Sequence, residues 1–174
     1  MSKVLIVVDM QNDFIDGSLG TKEAQAIVPN VKAKIAEYRE NGCNIIFTKD
    51  THEANYLETM EGKNLPVEHC IIGTEGWGIH KDLIKDDDIV VSKVTFGYGD
   101  WRGFFDKHDI IPSEIELCGV CTDICVISNA LILKAEYIDI PFTVDASCCA
   151  GVTPKKHKAA LEVMKSCQIH VVNE

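Results

Sequence analysis

The sequence is poor in basic residues: 17 Lys and Arg stand against 27 Asp and Glu, a formal net charge of −10. Phosphate backbones need clustered cations, so DNA and RNA are not expected as partners and small molecules are favoured. Also missing is a long hydrophobic run near the start. "MSKVLIVVDMQ" carries one early lysine and a short apolar run, Val4 to Val8, before an aspartate, too little for a signal peptide and far too little to span a bilayer. A cytoplasmic chain with no membrane attachment is the expectation. In that compartment the eight cysteines are expected as thiols, not as a disulfide framework. Internal repeats, low-complexity tracts and linkers are absent too, and with them the usual signs of a multidomain chain. What remains, 174 residues with 46% apolar content, suffices for one core and one domain spanning residues 1–174.

Apolar, β-branched runs recur at Lys3–Asp9, Cys43–Asp50, Asp88–Lys93, Glu114–Val120, Ile138–Ala146 and Gln168–Asn173. Their nearly continuous apolar character predicts six strands of a parallel sheet covered on both faces. Helical patterns lie between several of them, at Glu23–Asn41, Asp123–Tyr137 and Pro154–Cys167, with Pro29 marking where the first helix proper starts. The alternation predicts an α/β domain. The longest stretch without a strong pattern, Thr51 to Gly78, is the kind of long loop that carries function. Ligands of open parallel sheets bind beyond the carboxyl ends of the strands. Asp9, Asp50, His52, Lys93 and the turn from Cys121 to Cys125 all follow predicted strands, so the sheet gathers them on one edge.

Three cysteines crowd "ELCGVCTDICV", namely Cys118, Cys121 and Cys125. A metal reading as C-x-x-C-x-x-x-C wants three convergent thiolates and a fourth ligand, yet Cys118 lies in a strand, Cys121 in a turn and Cys125 in a helix. A redox C-x-x-C wants its first thiol exposed at a helix start, and here that thiol is in the strand. Cys125 differs. With Thr122 as the N-cap it stands at N3, where free backbone N–H groups and the helix dipole favour a thiolate and can hold an oxyanion. The remaining cysteines, including Cys148 and Cys149 in a loop after the fifth strand, are read as packing.

"GVCTDICV" (Gly119–Val126), "IVVDMQNDF" (Ile6–Phe14) and "SKVTF" (Ser92–Phe96) together resemble the isochorismatase-like cysteine hydrolases, and within them the nicotinamidases. The resemblance implies a three-layer α/β/α fold with a six-stranded, mainly parallel sheet. It also implies a Cys125 nucleophile, an Asp9 acid–base group, Lys93 beside both, and a cis peptide between Val120 and Cys121 whose turn holds the oxyanion. The implied chemistry is attack of a thiolate on an amide carbonyl, loss of ammonia, and hydrolysis of the thioester.

Asp50 and His52, two apart in an extended segment, project to one side and form a normal pair for Zn²⁺, Fe²⁺ or Mn²⁺. The resemblance adds His69 and a third ligand in the loop. That ligand is commonly a histidine, but no histidine lies between His52 and His69, so Glu61 is expected, with Glu58 as its competitor. Phe14, Phe96 and Tyr98 are the nearest aromatics to the chemistry, Leu65 takes a place that is often aromatic, and Trp77 is an alternative wall. The reading is a metal-assisted amidohydrolase acting on nicotinamide. The competing readings are an amidase of the same scaffold for a carbamoyl or ureido substrate and, in another class, a redox thiol protein using Cys121 and Cys125. The resemblance also implies a homo-oligomer.

Overall fold

The computed structural model describes residues 1–174. Six strands form one sheet: β1 (Ser2–Val8), β2 (Asn44–Asp50), β3 (Ile89–Lys93), β4 (Pro112–Val120), β5 (Phe142–Ala150) and β6 (His170–Val172). Their order is β3-β2-β1-β4-β5-β6 and every pairing is parallel. Val4 to Val8 of the central β1 are wholly buried, which is why the run lacks the polar alternation of a half-exposed strand. Helices cover both faces, as the sequence pattern predicts.

Helix α1 is a single turn (Asn12–Ile15), and α2 (Lys22–Glu40) lies against β1, β2, β4 and β5. Its apolar stripe, Ala24, Ile27, Val31, Ile35 and Tyr38, follows the three- and four-residue spacing of a helix face turned to a core. Thr21 caps it by accepting the Ala24 N–H at 3.0 Å. Pro29 therefore lies inside the helix and not at its start. The cap decides where the helix begins, and the proline removes only the bond that its own missing N–H would have made.

After β2 come a 3₁₀ turn (Tyr56–Glu58) and the short α3 (Met60–Asn64). Helix α4 (Trp101–Lys107) precedes β4, α5 (Ile127–Glu136) follows it, and α6 (Pro154–Ser166) precedes β6. Helix α4 is an element that the sequence pattern did not announce; Asp100 caps it by accepting the Gly103 N–H.

Strand β5 departs from expectation at both ends. It begins at Phe142 and runs on to Ala150, with Cys149 paired to Gly119 and Ala150 to Val120. Cys148 and Cys149 are thus strand residues, not loop residues, and are buried as packing. Gly119 has φ +116, and a Cβ there would lie 2.1 Å from the Val8 carbonyl oxygen. Only glycine lets β4 pass so close to β1 next to the site. No helix is long and apolar enough to cross a membrane.

Candidate active site

The carboxyl ends of β1, β2, β3 and β4 meet at the topological switch between β1 and β4, where parallel sheets leave a crevice. β1 ends at Val8, and Asp9 leaves it with φ +48, a left-handed conformation that aspartate tolerates better than most residues. The Asp9 carboxylate is fully buried. Thr48 of β2 donates to its Oδ1 at 2.5 Å and accepts the Asp9 N–H at 3.1 Å.

Lys93 ends β3 in register with Asp50 of β2. Its Nζ lies 2.6 Å from Asp9 Oδ2 and 3.3 Å from Asp50 Oδ1. It also donates to the Thr95 carbonyl at 3.1 Å and sits 3.6 Å from Cys125 Sγ. One cation thus touches two carboxylates and the sulfur. The ammonium occupies one lone pair of Asp9 Oδ2, and the second lone pair of that oxygen is open to the thiol proton.

Cys125 lies in a single π-turn, Thr122–Val126, that leads into α5. The peptide bond between Val120 and Cys121 is cis. The cap differs from expectation: the residue ahead of the turn is Cys121, in an extended conformation. The Thr122 hydroxyl is bonded to His157 Nδ1 at 2.7 Å instead of to the helix backbone. Cys125 therefore stands one position deeper than N3.

The thiol's acidity also departs from expectation. Burial pushes Cys125 well above an ordinary thiol, the negative charge of Asp9 adds to this, and Lys93 only opposes it. Asp9 is pushed up as well, first by burial and then by Asp50, against the pull of Lys93. Both directions favour a thiol over a standing thiolate and a carboxylate of raised basicity over an ordinary one, an arrangement that suits transfer of the proton on attack.

Asp50, His52, Glu61 and His69 converge, with one ligating atom from each lying within 4.8 Å of the other three. Asp50 Oδ2 is 2.9 Å from His52 Nε2 and 3.6 Å from His69 Nε2. Glu61 Oε1 is 3.7 Å and 3.8 Å from the same two nitrogens. Such separations suit four atoms around one ion at about 2.0–2.2 Å. His69 donates from Nδ1 to the Val67 carbonyl at 2.8 Å, which leaves Nε2 as the ligating atom. The chain thus fits a divalent ion with two imidazoles and two carboxylates, and Glu58 is not in the cluster. Tyr56, buried against both His52 and His69, backs the imidazoles.

The cavity above Cys125 has a volume of about 290 Å³ and includes Asp50, Glu61 and His69 in its lining. Phe14, Leu65 and Phe96 form its walls, as expected, and Leu19, Ile124, Val152 and Lys156 join them unforeseen. Two expectations fail here. Tyr98 does not line the cavity: it packs on Trp101 and Phe104 of α4, at ring separations of 5.3 and 5.9 Å. Asn129 accepts its N–H at 2.9 Å and holds that side of the loop on α5. Trp77 is absent as well, because its indole donates to Thr51 and its ring receives the Lys49 ammonium at 3.1 Å. A larger depression of about 430 Å³ beside Asp13, Glu75 and His80 has no nucleophile and shares no lining residue with the Cys125 cavity.

Sequence reasoning missed Thr48, which orients Asp9, and Gln11, whose buried side chain binds the Asp50 backbone in both directions. The one signal for Gln11 was its place two residues after Asp9.

Comparison with known proteins bears on the fold and the family. A pyrazinamidase of Pyrococcus horikoshii, solved in complex with zinc, superposes with a TM-score of 0.84 at 30% identity, covering 100% of both chains. An N-carbamoylsarcosine amidase from Thermoplasma acidophilum superposes with a TM-score of 0.79 at 25% identity, over 98% of this chain and 95% of that one. A nicotinamidase/pyrazinamidase of Mycobacterium tuberculosis is 25% identical over 98% of each chain. The isochorismatase domain model matches residues 3–173. The chain belongs to the isochorismatase family and is a hydrolase of amide C–N bonds.

Proposed function

We propose that the chain is a metal-assisted nicotinamidase, converting nicotinamide and water to nicotinate and ammonia through a Cys125 thioester. The observation that carries this reading is that the thiol and three of the four metal-ligating side chains line one cavity of about 290 Å³. That volume is at the small end for ligand sites and suits a single-ring amide with Phe14 and Phe96 beside it.

In the proposed reaction Asp9 Oδ2 takes the Cys125 proton and the sulfur attacks the amide carbon. The backbone N–H groups of Cys121 and Cys125 receive the oxyanion. Asp9 returns the proton to the leaving nitrogen, and ammonia departs. Asp9 then removes a proton from water, which attacks the thioester and frees the acid and the thiol. Lys93 stays in place, 2.6 Å from Asp9 and 3.6 Å from the sulfur, while negative charge moves between them. No uncompensated charge is formed in the buried site. A divalent ion held by Asp50, His52, Glu61 and His69 would supply a Lewis acid at the cavity wall, able to anchor a pyridine nitrogen.

A second reading rests on Lys156, a cation lining the same cavity. It suits the carboxylate of an N-carbamoyl amino acid, and the likeness to an N-carbamoylsarcosine amidase points the same way. The redox reading has less support, since Cys121 and Cys125 are both free thiols and burial raises the pKa of each.

Ammonia release from nicotinamide is the deciding assay. Release should fall on chelation, return with Zn²⁺, Fe²⁺ or Mn²⁺, and drop by at least about 10⁴-fold in Cys125→Ala, the scale of losing a nucleophile. Release from N-carbamoylglycine but not from nicotinamide would move the substrate to the second reading. Turnover unchanged in Cys125→Ala would overturn both.

A further inference from the structure

Gln11, the residue ahead of α1, and Asp13 within α1 grip both ends of the segment that carries the candidate metal ligands. Gln11 is wholly buried. Its Oε1 accepts the Asp50 N–H at 2.7 Å, while its Nε2 donates to the Asp50 and Trp77 carbonyls, each at 2.9 Å. The amide orientation follows from these partners, since an N–H can only donate and a carbonyl can only accept. Asp13 holds the far end. Its Oδ2 accepts the Cys70 N–H at 2.7 Å, one residue after His69.

Space has been made for this second contact, because a Cβ on Gly76 would fall 2.2 Å from the Asp13 carboxylate. Between Asp50 and Cys70 the chain makes a long excursion that returns to its own start. The His52 N–H donates to the Cys70 carbonyl at 3.0 Å, and the Ile72 N–H donates to the His52 carbonyl at 2.9 Å. Asp50, His52 and His69 therefore all lie within two residues of a gripped backbone position. Phe14, next to Asp13, packs on the His69 ring with centroids 5.5 Å apart.

Asp9, Gln11 and Asp13 lie within five residues, on the turn from β1 into α1. Resting on the metal-assisted reading above, we propose that Gln11 and Asp13 are positioning residues, which fix the spacing of Asp50, His52 and His69 from the segment that carries the acid–base aspartate. Neither touches the ion site directly. Each acts through backbone hydrogen bonds, so each should tune the ion's affinity and geometry more than the stability of the fold, as outer-shell partners of metal ligands do.

The test is Co²⁺ and Zn²⁺ binding by chelator competition, with the visible spectrum of the Co²⁺ form and the melting temperature of the metal-free chain. Gln11→Met keeps the length of the side chain and removes all three hydrogen bonds; Asp13→Ala removes the grip on Cys70. Each should weaken ion binding by about 10- to 100-fold and alter the Co²⁺ spectrum. Asp13→Asn, which still offers an acceptor oxygen to the Cys70 N–H, should restore both. Tyr38→Phe is the structural control. It removes a buried 2.6 Å hydrogen bond to Glu116 on α2 and β4, and should lower the melting temperature with affinity and spectrum unchanged.

Gln11→Met and Asp13→Ala with wild-type affinity and spectrum, whatever their melting temperatures, would overturn the proposal. So would an Asp13→Asn chain as impaired as Asp13→Ala. Should those two variants not fold, Gln11→Glu carries the test: it keeps the Asp50 N–H acceptor and loses both donors. A wild-type chain that binds neither ion would instead overturn the metal reading itself.

Discussion

Lys34 and Lys93 each bridge two carboxylates that the sheet holds out of water. Lys34, on α2, lies 2.5 Å from Glu116 of β4 and 2.9 Å from Asp145 of β5. Lys93 lies 2.6 Å from Asp9 and 3.3 Å from Asp50. Both ammonium groups have pKa values raised by their carboxylates against the opposing effect of burial. The lysines are alike; their carboxylates are not. Asp145 collects four donors: the Ser147 N–H and hydroxyl on Oδ1, and Lys34 and the Asn173 amide on Oδ2. Burial would raise its pKa, but these contacts outweigh it and hold Asp145 below the ordinary carboxylate value. Asp9 has two donors, Thr48 on Oδ1 and Lys93 on Oδ2, and its pKa moves the other way. A carboxylate with four donors serves structure, whereas one with two, beside a thiol and a cavity, is available to move a proton.

The sharpest way to break this contrast is to neutralise each aspartate in turn. Asp9→Asn should lower turnover by about 10²- to 10⁴-fold, the usual contribution of a general acid–base group, with Asp145→Asn within about threefold of wild type under the same assay. Comparable losses from both would erase the distinction. Stability should separate the two in the opposite order. Asp145→Asn should cost about 1–3 kcal/mol in urea unfolding, since it weakens charged, buried hydrogen bonds; Asp9→Asn should cost less, having fewer such bonds to lose.

The smallest effect is in the pH dependence. Because the folded pKa of Asp145 lies below its unfolded value, near 3.8, its stabilisation is present above about pH 4 and is lost as the pH falls through the folded value. The gap in unfolding free energy between wild type and Asp145→Asn should thus be widest near pH 7 and narrow towards pH 3. A gap constant over that range would mean that Asp145 is not held ionised by its donors.

The strands were legible because β-branched runs ending in Asp9, Asp50 and Lys93 carry both the sheet and its chemistry. The convergence of Glu61 with the two histidines was legible only through resemblance, since nothing in local spacing separates it from Glu58. Helix α4 was obscured by its length of 7 residues, too short for apolar periodicity to show. Cys148 and Cys149 read as loop residues in the sequence because cysteine is a weak strand signal. The raised pKa of Cys125 depends on burial and on the charge of Asp9, neither of which a linear motif contains. Gln11 was invisible for a related reason, because its partners are backbone groups and backbone groups leave no mark on sequence.

The place of β1 beside β4 at the centre of the sheet divides the chain's chemical labour along its length. Asp9, the metal-ligating set and Lys93 all precede Gly99, while the Cys121 turn and Cys125 follow it, and a side chain added at Gly99 would meet nothing within 4 Å. A chain severed at Gly99 would leave Asp9, the proposed proton acceptor, in one fragment and Cys125, the proposed nucleophile, in the other, so that on the proposed reading neither fragment alone holds a complete site.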